Sequence, residues 1–429
     1  MKKGLSIALS LALALSLLAG CAPQASTGGT PSKTPETSAP SAAPSGAPAS
    51  TEATGEPLRI GAITSLSGAL QDYGDQYRKG FEIGLEYMTN GTNTVAGRPI
   101  EIVWEDTTNT PDVAKERTLK LLEQDKVELV TGYASSGDAV ACLPLFEEYN
   151  TVAIVEPAAA DAIIAKENWN EYVFRTGRTA GQDALAASAV ITAQSPKATI
   201  ACFAPDSTYG HSMVEPFVKA AEKAGHTIVA TEYAPADAND FSPYFLRIKE
   251  LKPDYLYVSW AGANSPWNQL LELGLHEAGI TLTTGAPEFA QLRGMIPLAK
   301  AGGVGYTLYY YTAPDNDVND YLVKRHNELH NSNPDIFTSG GMAAAMAICT
   351  ALEKTGGNTD PAVLIPAMEN MEFDSPTGKR VFRQEDHQAM QDLFEVEFTY
   401  IEGTDHLVPK YVRNIPADKI APPITNGRG

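Results

Sequence analysis

Twice along this chain, short apolar runs alternate with segments whose apolar residues recur every three or four positions. Leu58-Arg59-Ile60-Gly61-Ala62-Ile63-Thr64 reads as a buried strand. Tyr77, Phe81, Leu85 and Met88 then mark one face of a helix that stops at Asn90-Gly91. A strand at 100–104 follows. Thr110-Pro111-Asp112 supplies a cap residue, a proline at the first helical position and an acid in the first turn, opening a helix through Leu122. Strands at 127–131 and 151–155 flank a helix at 136–149. The second half repeats the scheme, with strands at 198–203, 227–231 and 255–259 and helices at 212–224, 242–251 and 266–278. Strands alternating with helices of roughly 10–15 residues predict parallel sheets covered on both faces. The fold class expected is α/β, in two doubly wound parallel-sheet lobes. The length, 429 residues, agrees, being too great for one core and suited to two.

The remaining sequence is not foldable in this way. Lys2 and Lys3 precede an apolar run from Leu5 to Leu18, about 14 residues and short of the roughly 20 that span a bilayer as a helix. It ends in Leu18-Ala19-Gly20-Cys21, which resembles the bacterial lipoprotein lipobox and implies cleavage before Cys21 and lipidation of its thiol. No other stretch reads as long and apolar enough for a span. Residues 22–56 are almost entirely Ala, Pro, Ser, Thr and Gly, a composition that buries too little apolar surface to fold and suits a solvated tether. A flexible tail is expected at 416–429. The protein is therefore expected to be tethered at an extracytoplasmic membrane face.

Composition excludes several partners. The 32 Lys+Arg face 52 Asp+Glu, a net charge of −20, which becomes −22 once Lys2 and Lys3 leave with the signal. Nucleic acid and anionic membrane surfaces need clustered cations that this chain lacks. Four cysteines are too few for a disulfide framework. With Cys21 lipidated, Cys142, Cys202 and Cys349 are expected as buried free thiols. His326 and His330, four apart on a helix, have no HExxH frame and are expected on a solvated face. Neither a phosphate loop, a dinucleotide loop nor a nucleophile elbow is present, so no metal, cofactor or catalytic residue is expected.

In doubly wound sheets, ligands sit beyond the carboxyl ends of the strands. That rule selects Ser135-Ser136-Gly137, where a Ser cap and a helix first turn present N–H and O–H donors suited to a carboxylate. It also selects 156–160, 206–210, 260–262 and 287–289.

In this order and spacing, the segments resemble the branched-chain amino acid and amide binding family of extracytoplasmic solute-binding proteins of ABC importers, with the type I periplasmic fold. Matches run from Ile60-Gly61, Ser67-Gly68 and Tyr73-Gly74 through Gly97-Arg98-Pro99 and Tyr172-Val173-Phe174-Arg175-Thr176 to Asp386-His387-Gln388. The resemblance implies three chain crossings, with lobe one at 57–178 plus 311–377 and lobe two at 179–310 plus 378–415. It implies a ligand carboxylate at Ser135 and Ser136, further contacts at Ala158, Ala159 and Ala160, and closure of Tyr209 and Trp260 over the ligand. Glu288 would pair an α-ammonium, and Tyr73 would stand at the rim. Two departures weaken a plain branched-chain amino acid ligand: Ala160 stands where the family has Thr, and Glu156 adds an anion near the cleft. Together they leave the ligand open to an amide, a cationic or polyamine-like group, or another small polar molecule with a donor-rich end. The implied partners are the ligand, the permease subunits and the lipid anchor, with the chain a monomer. A ligand sensor of the same fold and, more remotely, an extracytoplasmic hydrolase are the alternatives.

Overall fold

The computed structural model describes residues 55–261, 265–296 and 303–428. The expected signal at 1–20, Cys21 and the tether up to residue 54 lie outside them. In chain order the first half gives β1 (Leu58–Thr64), α1 (Gln71–Met88), β2 (Thr94–Val95), β3 (Arg98–Asp106), α2 (Pro111–Glu123), β4 (Leu129–Gly132), α3 (Ser136–Glu148), β5 (Val152–Val155) and β6 (Val173–Arg175). Next come α4 (Ala180–Gln194), β7 (Thr199–Asp206), α5 (Thr208–Ala224), β8 (Thr227–Pro235), α6 (Ser242–Leu251), β9 (Tyr255–Val258), α7 (Trp267–Glu272), β10 (Thr281–Gly285), α8 (Phe289–Gly294) and β11 (Gly303–Thr307). The last part holds α9 (Asp317–His330), α10 (Ile336–Thr355), α11 (Pro361–Met368), β12 (Glu372–Phe373), β13 (Arg380–Phe382), β14 (Ala389–Met390), β15 (Leu393–Thr399) and β16 (Val408–Ile415).

Two sheets carry the two lobes. The first runs β2-β3-β1-β4-β5-β6 and is parallel except for the β2–β3 hairpin at its edge, with Ile60 of β1 opposite Ile102 and Leu129. The second runs β16-β15-β11-β10-β9-β7-β8, parallel from β8 to β11 and closed by antiparallel β15 and β16. The near-continuous apolar runs of β1, β4, β5 and β9 are buried as sheets covered on both faces require.

Helix α10 is packed directly on α1. A Cβ on Gly80 would stand 1.8 Å from the Thr338 carbonyl oxygen, and one on Gly341 would stand 2.1 Å from that of Tyr77. Only glycines permit so close an approach of two backbones. This helix also corrects the reading that no further stretch is long and apolar enough to cross a membrane. Ile336–Thr355 meets both criteria, but 89% of its apolar window is buried inside the protein, so it is a core helix.

Other expectations change with the packing. The lobe boundary expected at 377/378 falls later in the chain: β12, β13 and β14 form a small antiparallel sheet that puts Phe373, Phe382 and Ala389 in one core with Leu58, Phe174 and Ile348 of the first lobe. The second lobe resumes at β15, whose Val396 and Phe398 pack with Leu256 and Leu282. The helix expected at 266–278 ends at Glu272, because Gly274 turns the chain at φ +63°. The tail is not loose through residue 428. Ile420 is buried, Arg383 donates to the Pro422 carbonyl at 3.1 Å, Asn426 donates to the Glu385 carbonyl at 2.5 Å, and Arg428 lies over the Trp169 ring. His326 is buried instead of solvated, its Nδ1 2.7 Å from the Ser332 carbonyl oxygen. Cys142, Cys202 and Cys349 are buried and unpaired as expected.

The crossings meet in a polar core. Arg175, fully buried at the end of β6, gives Nε–H to Gln388 at 2.6 Å and Nη1–H to the Ala160 carbonyl at 2.7 Å. Arg380 donates to the Thr176 carbonyl at 2.7 Å, and Gln182 of α4 donates to the Gln391 carbonyl at 3.0 Å. Bonds of this kind tie the first crossing to the third.

Candidate functional site

The strand ends of both sheets face one cavity of about 510 Å3. Its first-lobe wall is set by the turn from β4 to α3. Gly132 has φ +124°, and a Cβ there would meet the Ile63 carbonyl oxygen at 2.0 Å, so the turn requires glycine. Tyr133 is held at φ +72° by a buried ring against Phe146 and a 2.7 Å hydrogen bond between its hydroxyl and that of Thr118. This turn aims the first turn of α3 at the cavity. Ser135 caps α3, its Oγ accepting the Asp138 N–H at 3.3 Å, while Ser136 Oγ accepts the Ala160 N–H at 3.2 Å. Ser136 Oγ accepts from the protein and its O–H has no acceptor among the described residues, whereas the Ser135 hydroxyl also faces the Asp138 carboxylate.

The second-lobe wall follows the same logic. Ser207 caps α5 by accepting the Gly210 N–H at 3.1 Å, which places Thr208 and Tyr209 on the cavity. Ser259 donates to the Tyr209 hydroxyl at 3.3 Å, and burial pushes that hydroxyl's pKa up. Trp260, beyond β9, stacks on Phe203 at 5.5 Å and holds Gln291 through its carbonyl. Tyr73 at the start of α1 lies 4.2 Å from Phe337, ring centre to ring centre. The cavity wall therefore carries hydroxyls from both lobes and the rings of Tyr73, Tyr209, Trp260 and Phe337.

Of the nine residues expected at the ligand, six line the cavity: Tyr73, Ser135, Ser136, Ala159, Tyr209 and Trp260. Ala158 and Ala160 are buried behind the wall, their N–H groups given to the Tyr133 carbonyl and Ser136. Glu288 is off the wall as well. It precedes α8, 4% exposed, with Oε2 lacking a partner among the described residues, and burial with Asp335 nearby pushes its carboxyl up to about 8. Asp335 itself joins the lobes, its Oδ2 accepting the Phe289 N–H of α8 at 2.8 Å.

Glu156 corrects the expectation of an anion near the cleft. It is buried away from the cavity, accepting the Thr176 hydroxyl at 3.0 Å and packed against Gly340 and Gly177. Burial raises its pKa, opposed by Arg380, Arg178 and Arg175. Arg178, Asp237, Gln291 and Phe337 line the cavity without having been singled out in the sequence. Among the described residues no group of three or more His, Cys, Asp or Glu side chains could hold a metal.

A family model described as a periplasmic binding protein matches residues 57–403. The chain is 38% identical to an ABC-type branched-chain amino acid transporter from Rhodopseudomonas palustris, whose crystal structure matches at TM-score 0.76 over 86% of this chain and 99% of that one. A solute-binding protein of an ABC transporter from Rhodopseudomonas palustris, crystallised with 3,4-dihydroxybenzoic acid, is 25% identical at TM-score 0.76, over 84% and 97% of the two chains. A Leu/Ile/Val-binding protein homologue from Brucella abortus is 25% identical, covering 80% of this chain and 87% of that protein.

Proposed function

The chain belongs to the periplasmic binding protein family, and on that premise we propose that it is the membrane-anchored receptor of an ABC importer for a small carboxylate. It is an extracytoplasmic binding protein, not an enzyme. The observation that carries the carboxylate is the pair of hydroxyls, Ser135 and Ser136, at the first turn of α3 in a cavity that also presents the rings of Tyr73, Tyr209, Trp260 and Phe337. An anionic oxygen there meets O–H donors, unpaired helix N–H groups and the positive end of the helix. The named ligands and cargo of the similar proteins, branched-chain amino acids and a benzoic acid, have that group and an apolar body in common.

Solute enters with the lobes apart and docks on the α3 turn. Tyr209 and Trp260 then cover it as the second lobe closes, and the closed form delivers it to the permease. Both walls come from one chain, so a monomer suffices. The segment Leu18-Ala19-Gly20-Cys21 supplies the anchor, two or three acyl chains adding about 0.8 kcal/mol per buried CH₂. Cys21→Ser should move the protein from the membrane fraction to the soluble one.

A thermal-shift screen over amino acids, amides and aromatic acids, with mass spectrometry of co-purified compounds, tests the reading. Stabilisation by a carboxylate, weakened in Ser136→Ala and Tyr209→Ala with folding intact, supports it. Stabilisation only by uncharged or cationic compounds would sink it.

A further inference from the structure

We infer that Arg178 reads the ligand's carboxylate from the floor of the cleft, and that the cavity selects carboxylates lacking an α-ammonium group. The inference rests on the receptor reading above. Arg178 lies on the first crossing between the lobes and lines the cavity while only 6% exposed. Its Nε–H goes to Asp183 Oδ2 at 3.1 Å and one Nη1–H to the Pro157 carbonyl at 3.1 Å. Asp183, 0% exposed on α4, is the guanidinium's ion-pair partner. A guanidinium carries five N–H donors in a rigid fork, so these bonds leave donors over on a side chain that forms part of the cavity wall. Its charge is already paired with Asp183, so what it offers a ligand is these remaining N–H donors, which match the acceptor oxygens of a carboxylate and not the donors of an ammonium.

No counter-charge awaits a cation. Among the described residues on the wall, Arg178 is the only Lys or Arg and Asp237 the only Asp or Glu, and Asp237 is exposed on the loop after β8, where water screens it. Glu288, the residue expected to hold an ammonium, stands off the wall among Asp335, Asp72 and Gln291. An ammonium in the buried part of the cavity would meet the guanidinium instead. The rings of Tyr73, Phe337, Tyr209 and Trp260 suit a flat aromatic or branched aliphatic body.

Titration calorimetry on the whole protein with two matched pairs tests this. 4-Methylpentanoate and leucine differ in the α-ammonium; benzoate and benzamide differ in the anionic charge. The expected result is carboxylate affinity about tenfold or more above that for leucine and benzamide. In Arg178→Gln/Asp183→Asn, which removes both buried charges together and leaves the α3 turn intact, the preference for benzoate over benzamide should fall several-fold, and an unchanged preference in the folded variant overturns the role of Arg178. Leucine bound as tightly as 4-methylpentanoate, or more so, overturns the inference and leaves the receptor reading standing. Saturable binding of none of the four overturns both. The wild-type pairs decide the matter even where the double variant fails to fold.

Discussion

Replacing Asp335 by Ala should lower both stability and ligand affinity, because one carboxylate holds groups from both lobes. Oδ1 accepts the Ile336 N–H at 2.8 Å and caps α10. Oδ2 accepts the Phe289 N–H of α8 at 2.8 Å and Gln76 Nε2 of α1 at 3.2 Å. Loss of the cap costs about 1 kcal/mol. The two further bonds contribute about 1 kcal/mol each, and Phe289 is left with an unpaired N–H in a part-buried setting. The expected loss is about 3 kcal/mol in urea denaturation followed by circular dichroism. The Phe289 bond joins one lobe to the other, so its loss should also weaken ligand binding about fivefold to tenfold. Asp335→Asn keeps one acceptor oxygen and should fall between the two. An unchanged denaturation midpoint would refute the energetic account. A lowered midpoint with unchanged affinity would refute the assignment of this bond to closure.

Three further outcomes follow from the same geometry. Ser136→Ala removes a ligand donor and the acceptor for the Ala160 N–H, and calorimetry should show affinity reduced about tenfold with a stability loss of about 1 kcal/mol. Gly341→Ala places a methyl 2.1 Å from the Tyr77 carbonyl oxygen, so α1 and α10 must separate; a loss of about 3 kcal/mol or failure to fold is expected, seen by the same denaturation. Glu288 has a folded pKa raised from 4.5 to about 8, so the folded state holds its proton more tightly than the unfolded chain does. Its stabilising contribution is present below pH 4.5 and is lost as pH rises toward 8, and Glu288→Gln should flatten that part of the melting-temperature profile.

The fold was legible where the period was long. Helices α1 and α2 announced themselves by apolar spacing or by a proline near the first turn, and the parallel strands by unbroken apolar runs. The strands β12 to β14 have two or three residues each, too few to show any period, and their membership in the first lobe depends on Phe382 meeting Phe174 across more than two hundred residues of sequence. The strand-end rule found Ser135, Ser136, Tyr209 and Trp260, because topology alone brings those positions to the cleft. It could not say which way a carboxylate turns. Glu156 and Glu288 both follow strands and both turn into buried packing, one against Gly340 and Thr176, the other beside Asp335. Arg178 was missed because its burial is made by distant segments converging at the crossings; its local signal was an acid, Asp183, five residues on.

One ligand site lies between the lobes in this proposal, built on the α3 turn and covered by Tyr209. Calorimetric titration of the protein with 4-methylpentanoate or benzoate, beside the variant Ser135→Ala/Ser136→Ala/Tyr209→Ala, tests it most directly. One site per chain in the natural protein, the ligand recovered unchanged, and no measurable binding in the folded variant are expected. Equal affinity in the variant, or chemical conversion of the ligand, would contradict it.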